Sequence, residues 1–294
     1  MHNDLHPAAN IGADKTSPSI LFLCLAHNCA DTIPSFFAYL ERLDNSGFNC
    51  SAIIGENGSR DRTRYLIEEA ASSKIALLNT SFMAEGHSRL IRMAMGRQAL
   101  LNAAEARGNE ADYICVTDLD NVMALPPDPA SIRAAIRLLQ TDTSLFAIGA
   151  SSFPVYYDLL SLRVEGYGFL SHLNTEISDA KKNPFSYYRF HKEHIYRNQR
   201  RITSIIPARC ASSFNGFCLY NASDYRLGSY RAVDEANICE HASLNLSIGQ
   251  ITGKQMLISP GLIIQAPADH IPTGFWHFWL DRIWERHPRI NRAK

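Results

Sequence analysis

Short apolar runs alternate with amphipathic stretches along the first half of the chain. Residues 20–26 are free of charge and have the length and β-leaning composition of a strand covered on both faces. A helical period follows at 31–43, with Asp31 as its expected N-cap. The same alternation continues with a strand at 51–55, a helix at about 61–73, a strand at 75–78 and a long helix at 86–107. Next come a strand at 113–116, a helix at 130–139 and a strand at 145–150. Strands and helices in that order predict an α/β fold: a mostly parallel sheet flanked by helices on both faces.

The pattern loosens after Ser151. Residues 181–209 carry Lys181, Lys182, Arg189, Lys192, Arg197, Arg200, Arg201 and Arg209 against the single acid Glu193, with aromatic residues interleaved. This reads as a basic loop, either solvated and irregular or a mobile lid over a phosphate-bearing ligand. Order returns with a strand at 216–220, a helix around 235–248 and a strand pair near 256–264. Residues 1–18, punctuated by Pro7, Gly12 and Pro18, are expected to be a flexible tail. At the other end, 275–294 is an amphipathic segment that crowds aromatic and basic residues together.

With 46% hydrophobic residues among 294, the chain can bury a large core, as one broad domain or two lobes. Its 29 basic and 29 acidic residues cancel, which argues against nucleic acid as the main partner. Seven scattered cysteines with no C-x-x-C pair read as buried free thiols of a reducing compartment, so a cytoplasmic location is expected. The longest N-terminal apolar run is too short to span a bilayer and lacks the flanks of a signal peptide.

Candidate chemistry sits where strands are expected to end. The strand at 113–116 runs into Asp118-Leu119-Asp120, and alternate residues of an extended segment point the same way. Two carboxylates at the carboxyl edge of an open α/β sheet make a hard, all-oxygen site for Mg²⁺ or Mn²⁺ carrying a phosphorylated ligand. Glu56-Asn57-Gly58-Ser59 closes the second strand, and Asp61 can cap the next helix or accept from a base or ribose. Either role fits a turn built from these residues. Arg89 and Arg92 share a face at the start of the long helix, where a diphosphate is favoured. Asn215-Gly216 permits close backbone approach to a sugar or phosphate, or merely marks a turn. Glu240-His241 lies inside an apolar stretch, where a carboxylate facing a polar cavity can serve as general base. His270 follows the last strand and is a candidate nitrogen ligand.

Taken in chain order over about residues 19–272, these motifs resemble the GT-A fold of nucleotide-sugar glycosyltransferases. The run 20–27, with His27 and Asn28 in its loop, resembles the opening nucleotide-binding strand. Glu56, Asn57 and Asp61 resemble the second-strand signature. Asp118-Leu119-Asp120 resembles the metal-binding DxD, Asn215-Gly216 the glycine loop, Glu240 the acceptor-side acid and His270 the late histidine ligand. The Glu-Asn-Gly-Ser stretch and Cys239-Glu240-His241 are also similar to fungal capsule-type α-mannosyltransferases. The chain departs from the family pattern at Arg97-Gln98, where relatives often have Arg-Asn, and at Cys239-Glu240, where Glu-Asp is commoner.

The resemblance implies a nucleotide-sugar-binding half at 19–150 and an acceptor-side half at 151–274. It implies Mn²⁺ or Mg²⁺ held by Asp118, Asp120 and His270, with His27, Asn28, Glu56, Asn57, Asp61, Arg89, Asp118, Asn215 and Gly216 around a UDP- or GDP-linked donor. Glu240 would act on a glycan or lipid-linked acceptor, with a role in cell-surface polysaccharide synthesis. The aromatic–basic segment 275–294 would touch the inner face of a membrane or cover the core.

Other readings are a non-catalytic nucleotide-sugar binding module and a haloacid-dehalogenase-type phosphatase, whose Asp-x-Asp-x-Thr/Val pattern Asp118 to Val122 satisfies. That family opens on its motif, whereas three strand–helix units precede it here. A nucleotidyltransferase needs a glycine-rich basic first loop, which the stretch from His27 to Asp31 is not.

Overall fold

A computed structural model of the chain describes residues 17–86, 88–107, 111–167, 180–230 and 239–286. Among them, eight strands form one sheet: β1 Ser19–Ala26, β2 Asn49–Glu56, β3 Ile75–Asn79, β4 Tyr113–Asp118, β5 Leu145–Phe153, β6 Ala208–Cys210, β7 Phe217–Asn221 and β8 Gln255–Gln265. Their order is β3-β2-β1-β4-β7-β5-β8-β6. Pairing is parallel except where β7 lies between β4 and β5, and where β6 edges β8. The expected α/β architecture, a mostly parallel sheet between helices, is therefore present.

Alternation within the strands explains why the sheet is covered twice. Along β1, Ile20, Phe22, Cys24 and Ala26 enter one core while Leu21 and Leu23 enter the other; β4 divides Tyr113 and Cys115 from Ile114 and Val116 in the same way. Helices α1 Ile33–Asp44, α2 Thr63–Glu69 and α4 Pro129–Thr141 fill the first core. Ile33, Phe36, Tyr39, Leu40 and Leu43 give α1 its buried stripe. The second core takes α3 Arg89–Ala106 and α6 Glu240–Thr252. It also takes Ile202 from α5, a rod in which Pro184–Phe190, the wider π-helical turn His191–Tyr196 and Arg197–Thr203 follow one another. The last helix is α7, Phe275–Arg286. No described helix is long and apolar enough to cross a membrane, and all seven cysteines are free.

Several expectations are corrected. Thr32, not Asp31, occupies the N-cap of α1; its hydroxyl donates to the carbonyls of Cys29 and Leu119, and Pro34 sits in the first turn. The expected strand pair near 256–264 is the single strand β8. Its register against β5 jumps from Ala150–Ser259 to Ser151–Ile263, and the irregularity leaves Pro260, Gly261 and Leu262 without ladder partners. The basic loop is mostly the helical rod α5, because Tyr188, Phe190 and Tyr196 pack inward while its cations face out. Within the expected tail, residues 1–16 lie outside the described residues, as do 231–238 before α6 and 287–294 of the C-terminal segment.

Candidate active site

Parallel strands end on one edge, so β1, β2, β4, β5 and β8 deliver their carboxyl ends together. The antiparallel β7 begins there. The loops after β1 and β2 are tied to each other. His27 Nδ1 donates to the Asn57 carbonyl (2.8 Å), and Asn28 Nδ2 donates to His27 Nε2 (2.9 Å), which fixes the histidine tautomer. The Asn28 amide N–H donates to Ser59 Oγ (3.0 Å), and the Arg60 N–H donates to Asn28 Oδ1 (2.8 Å). Asn28 takes a positive φ of 52° to do this.

Asp61 accepts from the N–H groups of Ala30 (3.1 Å) and Thr63 (3.0 Å), so it braces the first loop and opens α2 at once. Burial alone would raise its carboxyl, but the Thr63 hydroxyl together with those N–H groups holds it below the usual range. Glu56 is fully buried, accepting from the Ser59 N–H and pairing with Arg64 at 3.4 Å. These side chains shape the rim, and Glu56 does so from beneath it.

The end of β4 holds a group that the motifs did not single out. Arg97 is 1% exposed, and its Nη2 donates to Asp118 Oδ1 at 2.6 Å. Its guanidinium also lies 5.6 Å from the Phe214 ring centroid, while Nε has no partner among the described residues. Gly96 makes room for α3 here: a Cβ at that position would meet Met83 Sδ at 2.5 Å and Leu25 Cδ1 at 3.1 Å.

Burial pushes the Asp118 carboxyl up to about 7 against the pull of Arg97, and Asp120, Glu240 and Asp158 add to the push. Asp120 is exposed, with Oδ1 accepting from the Val122 N–H (3.1 Å). Thus Oδ2 of Asp118 and Oδ2 of Asp120 have no partner among the described residues. Two free carboxylate oxygens fit Mg²⁺ or Mn²⁺, which take one or two carboxylates and complete their shell with phosphate and water.

Opposite the aspartates, Phe214 to Phe217 form a tight turn with φ of 54° at Asn215 and 78° at Gly216, closed by the Phe217 N–H on the Phe214 carbonyl (3.3 Å). Asn215 is fully buried. Its Oδ1 accepts from Tyr157 N–H and Asp158 N–H, and its Nδ2 donates to the Ala150 carbonyl and Ser152 Oγ. The side chain expected at the donor is thus spent on holding the 152–158 loop. Gly216 has no space for a side chain, since a Cβ would lie 2.5 Å from Tyr157 Oη and 2.8 Å from Val122 Cγ2. Its carbonyl takes the Asp118 N–H (3.0 Å) and the Thr117 hydroxyl (3.0 Å).

Glu240 starts α6 and is buried. Burial raises its carboxyl above the ordinary range, Arg97 and Arg89 draw it back, and Asp158 raises it further. Glu240 and Asp118 therefore share the field of one guanidinium. Its neighbour His241 stacks face to face on Phe214 at 3.5 Å and 12°, and burial, with Arg97 close by, holds it well below the usual histidine range. The ring is neutral in the fold, whereas an unfolded histidine takes a proton near pH 6.5. Its contribution to stability is complete above about 6.5 and is lost as pH falls toward the depressed folded value. Urea unfolding across pH 7 to 5 should show the wild type losing more stability than His241→Phe. Parallel curves would contradict this.

Arg89 stands exposed at the amino end of α3, after Ser88, whose Oγ accepts from the Ile91 N–H. His270 is not drawn into the aspartate pair. Its imidazole lies 3.5 Å from Asp269 and against the Tyr157 ring at 5.1 Å, and among the described residues no three His, Cys, Asp or Glu side chains gather to hold an ion. The reach is taken up by Tyr157, which is close enough to Asp118 and Asp120 for both to raise its hydroxyl pKa, after burial has done so first. The phosphatase reading also loses ground, since Asp118 is on the fourth strand with one oxygen committed to Arg97.

No protein-family model matches the chain, and no curated protein matches it. Among solved structures, glucosyl-3-phosphoglycerate synthase from Mycobacterium tuberculosis, in complex with Mn²⁺, UDP and glucosyl-3-phosphoglycerate, is 11% identical over 90% of this chain and 76% of that one, with a TM-score of 0.44. The same enzyme in complex with Mg²⁺ and UDP is 13% identical over 90% and 75%, also at 0.44. At TM-scores below one half, these likenesses place the chain in no family.

Proposed function

We propose that this chain is a metal-dependent glycosyltransferase that takes a UDP- or GDP-linked sugar and passes the sugar to a glycan or lipid-linked acceptor. The observation that carries the reading is the shared guanidinium of Arg97. It is hydrogen-bonded to Asp118 at the end of β4, and its charge also acts on the buried Glu240. That juxtaposition puts a site for a phosphorylated leaving group near a buried carboxyl whose proton affinity burial raises above the ordinary range.

In this reading Asp118 and Asp120 hold Mn²⁺ or Mg²⁺, which supplies charge neutralisation for a departing diphosphate. Arg89 meets the diphosphate at a helix amino end. The loop pair at His27-Asn28 and Asn57 to Asp61 receives the nucleoside, held in shape by its own hydrogen bonds. Asn215 and Gly216 position Tyr157 and the 152–158 loop over the aspartates. Glu240 takes the acceptor hydroxyl proton if the anomeric carbon inverts, and positions that hydroxyl if configuration is retained. His270 serves through its contact with Tyr157 in this arrangement. A cell-surface polysaccharide as the final product extends the same reading.

The test is a panel of UDP-, GDP- and dTDP-sugars with Mn²⁺, scored for donor hydrolysis and thermal stabilisation. Hydrolysis of one donor that stops on chelation supports the enzyme. Stabilisation without any hydrolysis or transfer would leave a binding module, and no response to any donor would contradict both.

A further inference from the structure

Helices α5 and α7 are joined by their rings. Phe185 stacks on Phe275 at 4.8 Å with planes 9° apart, and Tyr188 meets Phe275 and Phe278 edge-on at 5.3 Å each. The Tyr188 hydroxyl donates to the Thr273 carbonyl (3.1 Å), which fixes the start of α7 against the rod. Phe278 is buried by this packing, but other large side chains of the same two helices are not. Trp276 is 76% exposed, Phe185 70% and Leu280, one turn beyond Trp276, 48%. Trp276 lies 5.3 Å from Phe275, so Trp276, Phe275 and Phe185 form a continuous aromatic strip with exposed ends.

Cations flank the strip. Arg189 and Lys192 are exposed one and two turns along α5 from Phe185, and Arg197 and Arg200 continue the exposed row; Glu193 is the one acid among them. None of these four cations has a carboxylate partner among the described residues.

We infer that this two-helix face docks on the surface of an anionic phospholipid bilayer. Trp and Phe side chains favour headgroup depth, and unpaired Arg and Lys beside them are drawn to anionic lipid. A second copy of the chain fits less well, because a two-fold contact would set each row of cations against its own image. The inference is independent of the reading of the sheet edge. A chain without transferase activity could dock, and an active one could fail to.

Trp276 is exposed on this face, so tryptophan fluorescence reports on docking without a label. The full chain is mixed with vesicles of phosphatidylcholine alone, and with vesicles that also contain phosphatidylglycerol. Co-sedimentation and a blue shift are expected with the anionic vesicles only, weakening with salt. Arg189→Gln and Lys192→Gln should each weaken binding about fivefold, and Trp276→Ser should remove most of the shift. All three positions are exposed, so thermal unfolding should confirm that the variants stay folded. Absence of binding by the folded wild type would overturn the inference. So would binding unaffected by all three substitutions, or a Trp276-dependent dimer in place of vesicle binding.

Discussion

Replacing Arg97 with methionine is expected to cost about 3 kcal/mol of folding free energy, at the low end of the range for breaking a buried ion pair. Methionine fills much of the volume but leaves Asp118 without its ion-pair partner and Glu240 without a nearby positive charge. The cost sits at the low end because 30% of the Asp118 side chain stays open to water. Arg97→Lys should recover only part of the loss, since an ammonium keeps the charge but not the fork that reaches Asp118. Urea unfolding measures both. A cost for Arg97→Met within the ~0.5 kcal/mol of an ordinary surface substitution would mean that the pair carries no structural weight.

Glu240→Gln should leave the donor in place and stop the transfer. The amide keeps the shape at the start of α6 and cannot take a proton. If transfer inverts the anomeric carbon, turnover to acceptor should fall by about 10²–10⁴. Donor affinity should change little, because the diphosphate site is assigned to Asp118, Asp120 and Arg89. The informative readout is the split between the two, with transfer followed at saturating donor and donor affinity measured by calorimetry. Equal losses in both would make Glu240 a structural residue.

Much of the sheet was legible because its strands are apolar on both faces and its early helices are amphipathic. Asp118 and Asp120 were legible for the same reason: a strand that ends in two carboxylates must present them at an edge. Arg97 was present in the sequence but read as a departure from a family pattern. The available signal was its place in a buried stripe with Leu100, Leu101 and Ala104 of α3, where an arginine needs a buried partner.

Asp158 and Tyr157 carry no motif at all. They reach the aspartates only because Asn215, far along the chain, accepts from both of their N–H groups. The rod α5 was misread because charge dominated its composition, while the ring contacts that make it helical involve α7, some 90 residues later. His270 was read from its position after a strand, and position alone does not orient an imidazole.

The end of β4 is expected to be a site for a divalent ion and a nucleotide diphosphate. Calorimetric titration of UDP and GDP into the full chain, with and without Mn²⁺, tests it against Asp120→Ala. Asp120 is exposed, and its side chain's one hydrogen bond among the described residues is from the Val122 N–H, so the variant should fold. One nucleotide is expected to bind the wild type far more tightly with the ion than without it, and Asp120→Ala should erase that difference. Nucleotide binding that ignores Mn²⁺, or a folded Asp120→Ala protein that keeps the full metal response, would contradict the account.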